Sequence, residues 1–292
     1  MNAYIINSFV YEEKGGNPAG VVILDDHTMT EATMQTIASH LGLSETAFIM
    51  PCDDKPDYKT RFFTPTEEVP LCGHATLSCA YMLYRLGVIK KNDLLQRTTA
   101  GDLEIKLMVD SDHVNIMMRQ SEPEMIPISI ENILRLKKCF VSSALSPFHE
   151  TLPIEIWSTG LKDIMVGVKN RSILNALTLD FGLLSSLSEE LGVVGAHVFA
   201  IESDKIYARN FAPLYGIDEE SATGTSNGAL TAYIHHHLHN KESNFFSTII
   251  QGESMNATSL ITTRSIKGPG GHEIWVGGLC HWIKTVNIQT LI

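Results

Sequence analysis

The chain carries one order of segments twice. Arg61-Phe62-Phe63-Thr64-Pro65 leads into Leu71-Cys72-Gly73-His74-Ala75-Thr76. About half a chain later, Arg209-Asn210-Phe211-Ala212-Pro213 leads into Ala222-Thr223-Gly224-Thr225-Ser226-Asn227. Upstream, Leu41-Gly42 precedes Glu45 and Phe48 as Leu191-Gly192 precedes Gly195 and Phe199. Such a repeat restricts the fold to two similar α/β units with their elements in one order. It also contains a mismatch, because Glu45 of the first copy stands where the second has Gly195. A duplicated scaffold with one unduplicated acid predicts a shared cleft holding a single proton-transfer group.

The 292 residues suffice for two domains of ordinary size. The boundary is expected in 119–150, a proline-bearing stretch without a counterpart. This gives domains 1–125 and 126–292, with the final strand able to return to the first. Hydrophobic residues make up 44% and charged residues 19%, the balance of a folded, soluble chain. A net charge of −11 argues against nucleic acid or an anionic membrane as partner, while one local positive site still permits a small anion. No apolar run approaches the ~20 residues of a membrane span, and Met1-Asn2-Ala3-Tyr4-Ile5-Ile6 lacks the marks of a signal peptide. Cys52, Cys72, Cys79, Cys139 and Cys280 are an odd set without CxxC, so a reduced, cytoplasmic chain without a structural zinc site is expected.

Patterning predicts strands at 4–10, 20–24, 47–50 and 58–63, helices at 30–41 and 76–86, and a hairpin of 103–109 with 114–118 around Asp110-Ser111-Asp112. The second half predicts strands at 164–168, 198–201, 205–211, 249–252, 260–266, 273–276 and 282–288, with helices at 173–191 and 229–238. Gly268-Pro269-Gly270-Gly271 reads as a hairpin turn rather than a nucleotide loop. The run His235-His236-His237 with His239 spreads over different helix faces and reads as a partly solvated helix end rather than a metal site.

In both halves a glycine opens a helix. Gly73 and Gly224 let a ligand approach the backbone, and the first-turn N–H groups with the helix dipole favour an anion. Cys72, Gly73, Ala75, Thr76, Gly224, Thr225 and Ser226 are therefore candidate substrate-binding residues, the anion expected being a small carboxylate. The plain alternative is that Thr76, Thr225 and Ser226 are helix caps.

These motifs resemble a known family. Glu45 within Leu43-Ser44-Glu45-Thr46, Phe63-Thr64-Pro65 followed by Glu68, Pro70 and Gly73-His74, and Tyr215-Gly216 before Ala222-Thr223-Gly224-Thr225 are similar to the phenazine biosynthesis PhzF-like family. Asn17-Pro18 and Gln251-Gly252 also match, so the resemblance spans nearly the whole chain. It implies an α+β, diaminopimelate epimerase-like fold: two pseudo-symmetric domains, each a curved, mostly antiparallel sheet wrapped around a central helix, with the active site between them. It further implies a cofactor-independent isomerase that moves a proton on a small carboxylate-bearing substrate, and a homodimer.

Glu45 is the expected general acid/base, since burial at a domain junction would raise its pKa towards neutrality. His74 is the family's active-site histidine, a donor to substrate or a proton relay. Glu220 stands where the family has Asp, one methylene further out, and Asn256-Ala257-Thr258-Ser259 replaces a segment that often carries Arg. Both departures leave the substrate open. Cys72 occupies the place of a catalytic thiol in epimerase relatives, where a helix N-terminus would lower its pKa, but its counterpart is Thr223, a poor base. Two rival readings remain: a two-base amino-acid racemase or epimerase using Cys72, and a non-catalytic small-molecule binding protein.

Overall fold

The computed structural model describes residues 1–292 except 13–14, 53–54, 111–112, 142–145 and 290–292. Ser111 and Asp112 of the expected hairpin turn lie outside the described residues. The chain divides into two units, Met1–Arg119 with Gly277–Ile292, and Gln120–Val276.

The first unit contains β1 (Asn2–Ser8), β2 (Asn17–Ile23), α1 (Glu31–Leu41), β3 (Glu45–Met50), β4 (Tyr58–Phe63), β5 (Glu68–Val69), α2 (Gly73–Arg85), β6 (Asp93–Thr98), β7 (Gly101–Val109) and β8 (Val114–Arg119). Strand β1 pairs antiparallel with β2, β2 runs parallel to β3, and β3 returns antiparallel as β4. Strand β4 lies parallel to β6, and β6, β7 and β8 form a meander. The chain's last strand, β17 (Gly271–Asn287), pairs with both β8 and β1, from Asn2↔Asn287 to Ser8↔Cys280, and so closes the sheet. Helix α2 fills its interior. Ten consecutive residues, His74 to Leu83, are buried, so this helix packs on all sides rather than on one stripe. Helix α1 lies outside and buries Met34, Ile37 and Ala38 in a cluster with Val22, Phe48 and Phe63. The Thr30 hydroxyl accepts from the Thr33 N–H at 3.2 Å to start α1, and Gly42 ends it at φ 63.

The second unit contains β9 (Glu124–Ile126), α3 (Ile130–Cys139), β10 (Glu155–Ser158), β11 (Lys162–Gly167), α4 (Arg171–Ala176), α5 (Phe181–Leu191), β12 (Gly195–Glu202), β13 (Lys205–Ala212), β14 (Ile217–Glu220), α6 (Gly224–His237), β15 (Asn244–Gln251) and β16 (Ser259–Gly268). Its pairings repeat those of the first. Strand β11 is parallel to β12 as β2 is to β3, β12 and β13 match β3 and β4, and β13 lies parallel to β15 as β4 does to β6. Helix α6 is the enclosed element here, with Ser226 to His235 buried. Helices α3 and α5 pack outside, contributing Leu136, Leu184 and Leu187 to a core with Val166, Val198 and Phe211.

Three expectations are corrected. The helix expected over 173–191 is two helices, because Leu177 is extended and the Asp180 carboxylate caps α5 by accepting from the Leu183 N–H at 3.0 Å. The strands expected at 273–276 and 282–288 are one strand, β17. Strand register also shifts one match, since Arg61 faces Phe48 while Arg209 faces Val198, so Phe48 corresponds to Val198 and not to Phe199. Both repeated arginines prove structural: each binds an acid of the next short strand, Arg61 with Glu68 at 2.7 Å and Arg209 with Glu219 at 2.9 Å.

The same registers align Glu45 with Gly195, as Glu45 pairs with Ala19 and Gly195 with Asp163. A Cβ added at Gly195 would lie 1.8 Å from the Phe211 carbonyl oxygen, so no side chain of any kind fits. Gly195→Ala is expected to cost about 3 kcal/mol or more in urea unfolding. Gly42→Ala, left-handed but with nothing within 4 Å, should cost only about 1 kcal/mol. Equal costs would show that β13 yields at Phe211.

Candidate active site

Three of the expected residues meet at one end of α2. Glu45 opens β3, and Cys72 and His74 flank Gly73 where the helix begins. His74 Nε2 lies 3.2 Å from Glu45 Oε2 and 3.3 Å from the exposed Ser44 hydroxyl, and Nδ1 lies 3.4 Å from Cys72 Sγ. The histidine is held from behind, as the Ser8 hydroxyl, 2.9 Å from Ser78, donates to the His74 carbonyl at 2.9 Å.

Burial sets the charges of this group. It lowers the pKa of His74 against the opposing pull of Glu45, favouring a neutral imidazole. It pushes the Cys72 thiol well above its ordinary range, and Glu45 adds to that. This corrects the expectation of a thiol activated by the helix start: the Ala75 amide does favour the thiolate, but desolvation is larger. A neutral Cys72 S–H therefore faces Nδ1, and Nε2 meets the Ser44 hydroxyl, while Glu45 Oε2 lies 3.2 Å away without a hydrogen bond. Glu45 is the most accessible of the three, its side chain 21% exposed against 10% for His74.

The helix-start residues divide into two kinds. Cys72 and Thr223 are the N-caps, and neither makes a side-chain capping bond, so Thr76, Thr225 and Ser226 are not the caps. A Cβ at Gly73 would meet only Met118 Cε at 3.6 Å, so its outer face is open. Ala75 is buried, and Thr76 turns inward to close the first turn through the Cys72 carbonyl while its hydroxyl accepts from Gln96. Ser226 also turns inward. Gly224 and Thr225 remain half-buried at the start of α6.

In the second unit Ser226 belongs to a polar chain that sequence reading missed. Its hydroxyl donates to Asp163 at 2.6 Å and accepts from Asn210 Nδ2 at 3.1 Å. Asn210 also donates to His197 Nδ1, and His197 Nε2 meets Asn227 Oδ1, each at 3.1 Å. Asn227 donates to Gln251, Gln251 to Thr223 at 3.1 Å, and Thr223 to the Glu220 carboxylate at 2.6 Å. Glu220 is thus positioned through a buried line that reaches Asp163, while its neighbour Glu219 is committed to Arg209. The one available signal was Asp163 itself, an acid inside an apolar strand opposite a glycine. Of the histidine run, His235 is fully buried between Ser265 and the Glu242 carbonyl, not solvated, while His237 and His239 pair with Glu155 and Glu242. No helix among the described residues is long and apolar enough to cross a membrane.

Comparisons with known proteins agree with this architecture. A family model described as phenazine biosynthesis-like protein matches residues 6–276. An uncharacterized isomerase of Clostridium acetobutylicum is 38% identical over 245 residues, covering 81% of this chain and 80% of that protein. An uncharacterized isomerase of Escherichia coli is 33% identical over 80% of this chain and 79% of its own length. The crystal structure of a Bacillus anthracis PhzF-family phenazine biosynthesis protein superposes with a TM-score of 0.86 at 26% identity, over 98% of each chain.

Burial of the second unit's network predicts a pH signature. Asp163 is pushed up from 3.8 to about 6, chiefly by desolvation, and His197 down from 6.5 to about 4 by the same cause. Asp163 holds its proton more tightly when folded, so its stability contribution is lost as pH rises from about 4 to about 6. His197 holds its proton less tightly when folded, so its contribution is lost as pH falls from 6.5 to about 4. Each is worth about 3 kcal/mol, and the two slopes nearly cancel. Asp163→Asn should unmask the histidine: between pH 6.5 and pH 4 the variant should lose about 3 kcal/mol more than the parent in chemical denaturation. Parallel pH profiles would show that Asp163 ionises normally.

Proposed function

The chain belongs to the phenazine biosynthesis-like family, and on that footing we propose that it is a cofactor-independent isomerase whose proton carrier is Glu45. The observation that carries this reading is the pairing of Glu45 with a neutral His74 at a position where the duplicated unit has no room for a side chain. One base is enough when a proton leaves one carbon and returns to another on the same face. Glu45 removes a proton from a carbon activated by the substrate's carboxylate, the electron pair delocalises into that group, and the protonated Glu45 delivers the proton to the far end of the system. The neutral His74, its Nε2 3.2 Å from Glu45 Oε2, is the proposed donor to the developing charge.

The uncapped starts of α2 and α6 are the proposed carboxylate-binding groups, with Gly73, Gly224 and Thr225 at their openings. Glu220 is the proposed second acid, and its longer side chain in place of Asp points to a substrate different from that of relatives carrying Asp. That one substrate engages both units is a proposal carried by the sequence duplication. The two-base reading through Cys72 is disfavoured, because its thiol is held neutral and its counterpart Thr223 is bonded to Glu220.

The test is a thermal-shift screen of aromatic and amino-acid carboxylates, followed by proton NMR of each hit in heavy water. A true substrate should exchange one carbon-bound proton, and Glu45→Gln should slow exchange by at least about a hundredfold. Undiminished exchange in Glu45→Gln, with loss in Cys72→Ser, would transfer the chemistry to the thiol. Binding without exchange in the parent protein would make it a carboxylate-binding protein.

A further inference from the structure

Both enclosed helices are tied to their own sheets at the same point. The Ser8 hydroxyl donates to the His74 carbonyl at 2.9 Å, and the Thr159 hydroxyl donates to the Thr225 carbonyl at 3.0 Å. Strand register makes the two donors equivalent. Ser8 lies two residues beyond Ile6, which faces Ala19, and Thr159 lies two beyond Trp157, which faces Asp163. His74 and Thr225 each follow the glycine that opens a helix. On the reading of the two helix starts as carboxylate-binding groups, we propose that Ser8 and Thr159 are positioning residues. Each anchors the carbonyl of the residue after the opening glycine, and so fixes His74 in one unit and Thr225 in the other.

A carbonyl in the first helical turn is served by the N–H four residues on, so a second donor acts on its position rather than on its pairing. The interiors of the two units differ, with Ala19 and Ala47 in the first where the second has Asp163 and His197. The hydroxyl-to-carbonyl contact is nevertheless kept in both, by a serine in one and a threonine in the other. The backbone after each donor also turns to positive φ, 64 at Phe9 and 144 at Gly160. Glycine adopts such angles freely, whereas a buried phenylalanine is strained there, so the first unit holds this strand end over its helix against a local penalty.

Each hydroxyl is itself held in place. The one proton of Ser8 goes to the His74 carbonyl, so the Ser78 hydroxyl at 2.9 Å donates to Ser8. The Cys280 sulfur lies 3.3 Å from the same oxygen, and burial raises its thiol pKa, which favours an S–H donor. In the second unit a Cβ at Gly228 of α6 would lie 2.9 Å from Thr159 Oγ1, so the helix omits a side chain where this hydroxyl sits. The consequence is largest for His74, whose Nε2 is 3.2 Å from Glu45 Oε2. A displacement of about 1 Å between catalytic groups can cost about a hundredfold in rate.

The experiment is nitrogen-15 relaxation, with a histidine-ring titration, on the full-length protein without ligand. Ser8→Ala should lower the backbone order parameters of residues 73–75 from the rigid value of about 0.85 and leave 224–226 unchanged. Thr159→Val should do the reverse, and Thr159→Ser, which keeps the hydroxyl, should match the parent. Ser78→Ala keeps the Ser8 donor and should leave 73–75 rigid. In Ser8→Ala the His74 ring should also titrate closer to the ordinary histidine value, because burial is the larger cause of its lowered pKa and a loosened ring regains solvent. Unchanged order in Ser8→Ala and Thr159→Val, motion spread over both helix starts in either variant, or motion persisting in Thr159→Ser would overturn the assignment. Thr159→Val preserves side-chain shape, so it decides the matter if Ser8→Ala does not fold. No ligand enters these measurements, so a negative result leaves the heavy-water test of Glu45 intact, and a failed heavy-water test leaves the anchors in place.

Discussion

A helix enclosed by its own sheet is the constraint from which the rest of this structure follows. In α2 and α6 ten consecutive residues are buried, so no flank of either helix is available to a ligand. What each can offer is its N-terminal end, where backbone N–H groups have no partner within the helix. Both starts are glycines, and neither is closed by a side-chain cap. Enclosure also explains why polar groups on these helices are bonded inward: Ser78 to Ser8, Thr231 to Thr263, and His235 to Ser265. An unpaired polar group in such a place costs ~1–3 kcal/mol.

The two units meet this constraint with different interiors. Strand register places Asp163, His197 and Asn210 of the second unit at the positions of Ala19, Ala47 and Phe62 in the first, and helix position places Ser226 at that of Ala75. All four first-unit residues are fully buried and apolar. The first unit thus packs an inert floor beneath the Glu45–Cys72–His74 group, while the second places a hydrogen-bonded line there that ends on Glu220. The Oδ1 atoms of Asp163 and Asn210 are the atoms of this line left without a partner, an arrangement that a protonated Asp163 relieves. The raised pKa of Asp163 and the lowered pKa of His197 are two outcomes of one cause: both shifts favour the neutral form because charge is costly in a dry interior.

Much of this was legible because it is periodic or repeated. Alternation gave β4, Thr30 and Gly42 bracketed α1, and the repeated Arg-x-Phe and glycine-opened helices exposed the duplication. Other features depend on partners distant in sequence. The break between α4 and α5 rests on Asp180, whose capping role competes with an unbroken apolar pattern. Strand β6 pairs with β4 in parallel and has little alternation of its own. The polar line was hidden because Asp163, His197, Asn210 and Gln251 lie far apart in the chain and form no motif until four strands align. The repeated arginines mark the duplication because each unit uses the same brace, to Glu68 in the first and Glu219 in the second.

Duplication and burial together support the proposal that Glu45 is the group that moves a proton. Two-base inversion needs bases on opposite faces of one carbon, which a pseudo-symmetric protein supplies most simply from equivalent places in its two halves. Here the partner of Cys72 is a threonine bound to Glu220, and the partner of Glu45 is a glycine pressed against the Phe211 carbonyl. The second absence is the stronger argument, because it is a property of the backbone: a base could appear there only if β12 and β13 moved apart. Within the first unit, desolvation disfavours both the thiolate of Cys72 and the imidazolium of His74, and Glu45, at the edge of solvent, is the more accessible side chain of the group. On the proposed one-base route, such a site returns a proton to the face from which it came instead of inverting a centre.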